Sequence, residues 1–460
     1  MRSLIILSIV IFIASCNSVK HPSMSLGVEI NQDEFSYLLY DLDNSEIVSS
    51  YNEDKLLIPA SVFKIMPAYA ALEIFGHSKR FSTKIYYSGE VKDGILNGDL
   101  IISGGGDPSI EYQDLFNMAS LVRSKGISNV NGNLVYEDEL LIAAPEINNT
   151  QPIAAYNPGL SSLMLRKNSF LLNSKERDFL MVPELSYMNF NAADGAEDID
   201  YDTRHSWVVG KDKSYRLPIK DSSFFVANVF SKILEYNNIG VLGVKRGNNL
   251  LNKKLLLEYK SSSLVDIIRY NLNYSHNLTS EILLLQIART LECENNNLLE
   301  AAGCLKRWYD DHFPQLKWNY MHWENGSGLS INTNLTALHM MEVIRSLYLK
   351  KYGNETGVSL FPISGLTGTL KNKFLEDSLH IWAKTGSMYF VSGLAGFIFS
   401  KEHRYVFIIL ANDTQKRREL DGVDKKVQIN RYEELIEHSK LWKDEIYKKQ
   451  RELIKMWLDN

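Results

Sequence analysis

Cysteine is scarce in this chain, with three among 460 residues, at positions 16, 293 and 304. Its ten histidines are scattered, so the clustered thiolate and imidazole ligands of a metal site are not expected. No block of lysine and arginine stands out and the net charge is −5, which argues against a nucleic-acid surface. The glycine-rich turn Gly104-Gly105-Gly106-Asp107-Pro108 has no Gly-Lys-Ser/Thr ending, so it is not read as a phosphate loop. No internal repeat or low-complexity tract interrupts the chain.

What is present fits a folded protein, with 45% apolar and 23% charged residues. The length exceeds one ordinary domain of roughly 100–200 residues, so two or three globular pieces are expected. Residues 35–41 alternate as a strand, 43–45 turn and 46–50 return, making a hairpin. Residues 61–75 form an apolar helix closed by Gly76, and Pro67 should kink or loosen it. Residues 82–262 read as short strands broken by Gly-rich and Asn/Asp-rich turns. Helices return at about 263, with periodic stripes over 277–291 and 298–309. Residues 381–383, 393–399 and 405–411 read as a meander. A long charged helix follows over 431–458, with Tyr432, Ile436, Trp442, Ile446, Leu453 and Trp457 as its apolar stripe. The simplest assembly joins the hairpin and the meander in one antiparallel sheet covered by helices. This is an α/β (α+β) fold split as 27–81 and 263–430. Residues 82–262 are then a β-rich insertion and 431–460 a C-terminal helical extension.

Three short motifs carry chemistry. In Ser61-Val62-Phe63-Lys64, which follows Pro59-Ala60, residues i and i+3 share a helix face and bring a hydroxyl beside an amine. An ordinary lysine, with a pKa of about 10.4, is protonated at neutral pH. Burial and a second ammonium, for which Lys384 is the candidate, lower that value. A neutral Lys64 can then take the Ser61 proton during attack on a carbonyl. The second motif is Ser-x-Asn, which begins at Ser15, Ser50, Ser275 and Ser330. Ser275-His276-Asn277 is chosen because it caps the periodic helix that follows. The third, Lys384-Thr385-Gly386, lies on a strand.

In this order the motifs form the active-site set of penicillin-binding proteins and class A β-lactamases. Lys64 and Ser275 stand 211 positions apart, much farther than in a class A β-lactamase. With its β-rich filling, the gap resembles D-alanyl-D-alanine carboxypeptidase/endopeptidases of the penicillin-binding protein 4 type. Asn97-Gly98-Asp99-Leu100, Gly106-Asp107-Pro108, Asn325-Gly326-Ser327-Gly328-Leu329-Ser330, Gly368-Thr369-Leu370 and Lys384-Thr385-Gly386-Ser387 agree, over about residues 30–425. The resemblance implies that Ser61 is the acylated nucleophile, Lys64 its base and Ser275 a proton relay. It implies that Asn277 holds the substrate amide and Lys384 supports the proton network. Thr385 and Ser387 would grip a terminal carboxylate, and the N–H groups of Ser61 and Ser387 would form the oxyanion hole. It also implies peptidoglycan stem peptides as substrates, β-lactams as covalent inhibitors, no metal and no cofactor. Asn325, Ile331, Lys373 and Pro67 depart from the family pattern. Two alternatives stay open: a β-lactamase, although its Glu-x-x-x-Asn loop has no assigned place in this sequence, and a non-catalytic wall- or partner-binding protein.

The N-terminus resembles a bacterial lipoprotein signal. Met1-Arg2 is positive, residues 4–13 are apolar but too short to span a bilayer comfortably, and Ile13-Ala14-Ser15-Cys16 ends the run. Lipidation of Cys16, removal of residues 1–15 and a tether over 16–26 are expected, placing the protein in the periplasm on a membrane. An ordinary secretory peptide cut after Ala14 or Ser15 is the alternative. Cys293 and Cys304 either pair, as an oxidising compartment permits, or stand as two buried thiols.

Overall fold

The computed structural model describes residues 31–459, apart from 176–177, 194–199, 204, 248–251, 295 and 426. The expected signal, the Cys16 lipidation site and the tether lie outside the described residues. No described helix is long and apolar enough to cross a membrane.

In chain order, the elements used below are β1 (Phe35–Asp41), β2 (Glu46–Tyr51), a 3-10 helix (Ala60–Lys64) and α1 (Ile65–Phe75). Next come β3 (Ser82–Tyr87), β4 (Leu100–Ser103), α2 (Tyr112–Ser124), β5 (Leu134–Glu137), α3 (Ser222–Tyr236), β6 (Val244–Arg246) and β7 (Lys254–Lys260). They are followed by α4 (Leu264–Tyr274), α5 (Asn277–Thr290), α6 (Leu298–His312) and α7 (Ala337–Leu349). The chain closes with β8 (Ile381–Met388), β9 (Val391–Phe399), β10 (Arg404–Asn412), α8 (Thr414–Asp421) and α9 (Ile429–Asp459).

Hairpin and meander join as expected, in one antiparallel sheet of order β8-β9-β10-β1-β2. Alternation along β10 assigns its faces. Val406, Ile408 and Leu410 point into a core shared with α1, α5 and α7. Phe407, Ile409 and Ala411 point into a second core, where α9 contributes Leu435, Trp442, Ile446, Leu453 and Trp457. The C-terminal helix is therefore half of the sandwich. Its Ser439 hydroxyl accepts the Phe390 N–H at 3.1 Å.

The segment after α1 builds a second five-stranded sheet, β6-β5-β4-β3-β7, around its own core. It is not only strands: α2 and α3 pack into that core. The α2 pattern Leu115, Met118, Ala119, Val122 has the spacing of a buried helical stripe. In α3, Phe225, Val226, Val229 and Phe230 reconcile β-favouring residues with helix because the tertiary core claims that face.

Pro67 falls near the start of α1, not in its interior as expected. It is the third residue of the helix, where an N–H has no intrahelical acceptor to miss. Cys293 and Cys304 are joined in a disulfide that ties the end of α5 to α6.

Because α9 buries Trp457 against Tyr37 and Phe407 of the sheet, Trp457→Ala should cost about 3–5 kcal/mol. A shift of the urea midpoint reads this; an unchanged midpoint would mean that α9 is an appendage.

Candidate active site

The 3-10 helix that carries Ser61 lies on the sheet at backbone distance. Gly386 of β8 and Gly393 of β9 are cross-strand partners beneath it. A Cβ on Gly386 would stand 2.6 Å from the Pro59 carbonyl oxygen and 3.1 Å from the Ser61 nitrogen. Only glycine permits that approach. The Ala60 φ of +47° bends the chain into the turn, a conformation that non-glycine residues adopt only under constraint.

In a 3-10 helix the side chains at i and i+3 eclipse. This places Lys64 Nζ 2.8 Å from Ser61 Oγ, and the same amine donates to the Ser327 carbonyl at 2.8 Å. Burial pushes the Lys64 ammonium down to about 7, against an opposing pull from Glu281. Lys384 is also buried, donating to Ser275 Oγ at 2.9 Å and to the Thr385 carbonyl at 2.6 Å. Burial pushes it well below the ordinary lysine value, with Lys64 and then Lys373 adding to the effect. The lowering of Lys64 by burial is as expected, but the expected contribution of Lys384 is not among its causes. Desolvation, not Lys384, lowers Lys64, and Lys384 is the amine that yields.

The Ser275-His276-Asn277 tripeptide caps the helix as expected, through His276. Ser275 ends α4 in the left-handed conformation, φ 56° and ψ 47°, and His276 is the N-cap of α5. The reversal between two helices is what aims Ser275 back at Lys384. Burial holds the His276 imidazole down to about 4, so it stays an uncharged cap. Asn277 opens α5 and donates to the Tyr156 carbonyl at 2.8 Å.

Ser61, Ser275, Asn277 and Ser387 line one cleft of about 670 Å³. Thr385 neighbours it on β8 but is not among the lining residues. β8 is an edge strand, and Ala383 N–H donates to the Pro362 carbonyl on its outer side. With a period of two, the N–H groups of Thr385 and Ser387 face that same free edge.

Motif reading missed Glu281. Buried in α5, it accepts the N–H groups of Gly326 and Ser327 at 2.6 and 2.9 Å. Burial raises its pKa, opposed by those hydrogen bonds and by Lys64. It fixes the peptide whose carbonyl holds Lys64. The only hint was its place one helical turn beyond Asn277, directly before the apolar run Ile282-Leu283-Leu284-Leu285. Asn325 turns the same loop by accepting the Gly328 N–H at 3.0 Å. The cleft wall formed by Thr150, Gln151, Pro152 and Tyr156 was also not foreseen.

A family model described as D-Ala-D-Ala carboxypeptidase 3 (S13) matches residues 24–433. The chain belongs to that family. It is 21% identical over 442 residues to D-alanyl-D-alanine carboxypeptidase DacB of Haemophilus influenzae, covering 86% of this chain and 89% of that one. A D-alanyl-D-alanine carboxypeptidase of an Actinomadura species is 23% identical over 430 residues, covering 82% and 77%. The crystal structure of penicillin-binding protein 4 from H. influenzae superposes with a TM-score of 0.72 at 19% identity, covering 82% of this chain and 90% of that one. Bd3459, a predatory peptidoglycan endopeptidase from Bdellovibrio bacteriovorus, superposes with a TM-score of 0.56 at 15% identity, covering 94% of each. The penicillin-binding-protein fold expected from the motifs is the fold of this chain.

The electrostatics predict a titration. An NMR signal from labelled lysine, assigned by its loss in Lys64→Arg, should titrate near pH 7. Glu281→Gln removes the carboxylate that favours the ammonium, so the midpoint should move to lower pH. A midpoint near 10 would contradict the buried-amine account.

Proposed function

We propose that this S13-family protein is a serine DD-peptidase that hydrolyses D-alanyl-D-alanine in peptidoglycan stem peptides through an acyl-enzyme on Ser61. The observation that carries the reading is the 2.8 Å contact of Ser61 Oγ with a buried lysine amine poised near neutrality. Above pH 7 the amine is free to accept a proton; below it the ammonium cannot.

In the first half-reaction Ser61 Oγ bonds to the penultimate D-alanine carbonyl carbon while its proton passes to Lys64. The N–H groups of Ser61 and Ser387 hold the oxyanion, each such donor being worth about 3–4 kcal/mol. Collapse breaks the C–N bond, and the leaving amine takes a proton relayed through Ser275, whose hydroxyl Lys384 orients. Asn277 holds the acyl-side amide. The Thr385 and Ser387 hydroxyls receive the terminal carboxylate. Water then attacks the ester, Lys64 again takes the proton, and Ser61 is restored.

Among the described residues the cleft's one lining carboxylate is Asp421, and it is bound to Arg417 through two hydrogen bonds. Among the described lining residues no free carboxylate is placed to activate a deacylating water, which favours a peptidase with a long-lived penicillin adduct over a β-lactamase. Both terminal D-alanine and cross-links between stem peptides are proposed substrates. We place the protein in the cell envelope, anchored through lipid on Cys16. The Cys293–Cys304 disulfide supports an oxidising compartment.

Fluorescent penicillin should label the wild type covalently for minutes or longer and should not label Ser61→Ala; labelling of that variant would end the assignment. Muropeptide analysis of digested peptidoglycan should show loss of terminal D-alanine and of cross-links. Cys16→Ser should move the protein from the membrane to the soluble envelope fraction, and unchanged membrane retention would remove the lipid anchor.

A further inference from the structure

We infer that the junction between the α1/α5 core and the second sheet carries an anion site, one that takes a diphosphate group. A cleft of about 490 Å³ opens there. The end of α1 and the last turn of α5 line one side, and β3, β4 and β5 line the other. It shares no lining residue with the cleft that holds Ser61.

Charge is unbalanced in this cleft. Lys79, Arg80, Lys84, Lys253 and Arg289 line it against two carboxylates, Glu137 and Glu139. Lys253 is neutralised, because its amine donates to both oxygens of Glu137, at 2.7 and 2.5 Å. Arg80 donates to the Ser261 carbonyl at 2.6 Å, an uncharged partner that leaves its charge in place. Lys79, Lys84 and Arg289 make no ion pair among the described residues. Glu258, opposite Lys84 on β7, stands outside the cleft. Phe75 and Phe81, whose rings meet edge to face at 6.4 Å, give the cleft an apolar wall. Cations of one sign beside a low-dielectric wall focus their field on the space between them and concentrate anions there.

The donors select the ligand. Two guanidinium forks and two ammonium groups suit phosphate oxygens. One phosphate monoester carries about 1.5–2 negative charges at neutral pH, less than the surplus of five cations over two carboxylates; two linked phosphates match it. The cations come from both sides of the junction, Arg289 from α5 and Lys84 from β3, and their spacing is held. Gln286, one turn before Arg289, donates to the Gly105 carbonyl at 2.9 Å. Gly105 in turn lies on β3, since a Cβ there would stand 1.7 Å from the Ser82 carbonyl oxygen. The glycine-rich turn lacks the motif of a phosphate loop, and its part here is to bring α5 and β3 close enough to share one ligand.

The test titrates the full-length protein with sodium diphosphate in a calorimeter at constant ionic strength. A parallel arm measures its retention on phosphatidylcholine vesicles with and without a polyprenyl diphosphate, which separates a soluble ligand from a lipid headgroup. The double variant Lys84→Met/Arg289→Gln should weaken binding about tenfold or more. Lys401→Met, which removes one charge from the exposed turn between β9 and β10, should bind as the wild type does. Equal labelling by fluorescent penicillin shows that the variants are folded. Arg289 is exposed, so Arg289→Gln alone decides the matter if the double variant does not fold, and it should weaken binding several-fold. Binding to either form that is lost in these variants and kept in Lys401→Met supports the site. No binding to either form, or binding that the Lys84 and Arg289 variants leave unchanged, overturns it, and the peptidase reading stands in both cases.

Discussion

A turn of backbone can rest directly on a β-sheet only where the sheet has no Cβ beneath it. Here the cross-strand pair Gly386 and Gly393 provides that bare spot. The 3-10 helix therefore sits close enough for Ser61 to border the free edge of β8. From above, Gly328 at φ +72° brings the 325–330 loop against the Ala60 carbonyl, where a Cβ would come within 2.1 Å. The nucleophile is clamped between sheet and loop, and the clamp shuts Lys64 away from water. The glycine of Lys-Thr-Gly is thus as much a part of the base's electrostatics as the lysines are.

Enclosing two lysines a few ångströms from one hydroxyl network is costly unless their charge is released. Desolvation does this for both amines: Lys64 stops near neutrality because Glu281 pulls against burial, while burial pushes Lys384 well below the ordinary lysine value, with Lys64 and Lys373 adding to the effect. Glu281 is tolerated in the core because its oxygens are occupied by two backbone N–H groups. One carboxylate therefore has two effects, fixing the loop that holds the amine and limiting how far the amine's basicity drops.

Motif order and hydrophobic period made the sheet, the flanking helices and the Ser61, Lys64, Ser275 and Lys384 group legible in the sequence. Backbone direction was not legible. Ser275 looks like a cap in one dimension, but a left-handed residue between α4 and α5 reads the same as any Ser before a helix. Pro67 suggests a kink until the helix start is known to lie at Ile65, after the 3-10 turn. The helix α3 was hidden by its Phe and Val content, which favours strands unless a core dictates otherwise. Glu281 carries no motif at all, since its meaning comes from a loop more than forty residues away.

The helix α9 joins stability to recognition. A sheet with apolar residues on both faces needs two covers. One face has α1, α5 and α7, and without α9 the row Phe407, Ile409 and Ala411 would face water. Since β8 lies at the edge of that sheet, any helix long enough to cover the second face must also pass the strand end at Met388 and Tyr389. The side chains it turns toward the strand end, Tyr432 and Lys443, then become part of the cleft's wall. These polar residues lie apart from the stripe of Trp442, Ile446 and Trp457 that holds the helix down. The demand for a second cover fixes where the helix lies, and with it which of its residues reach the cleft.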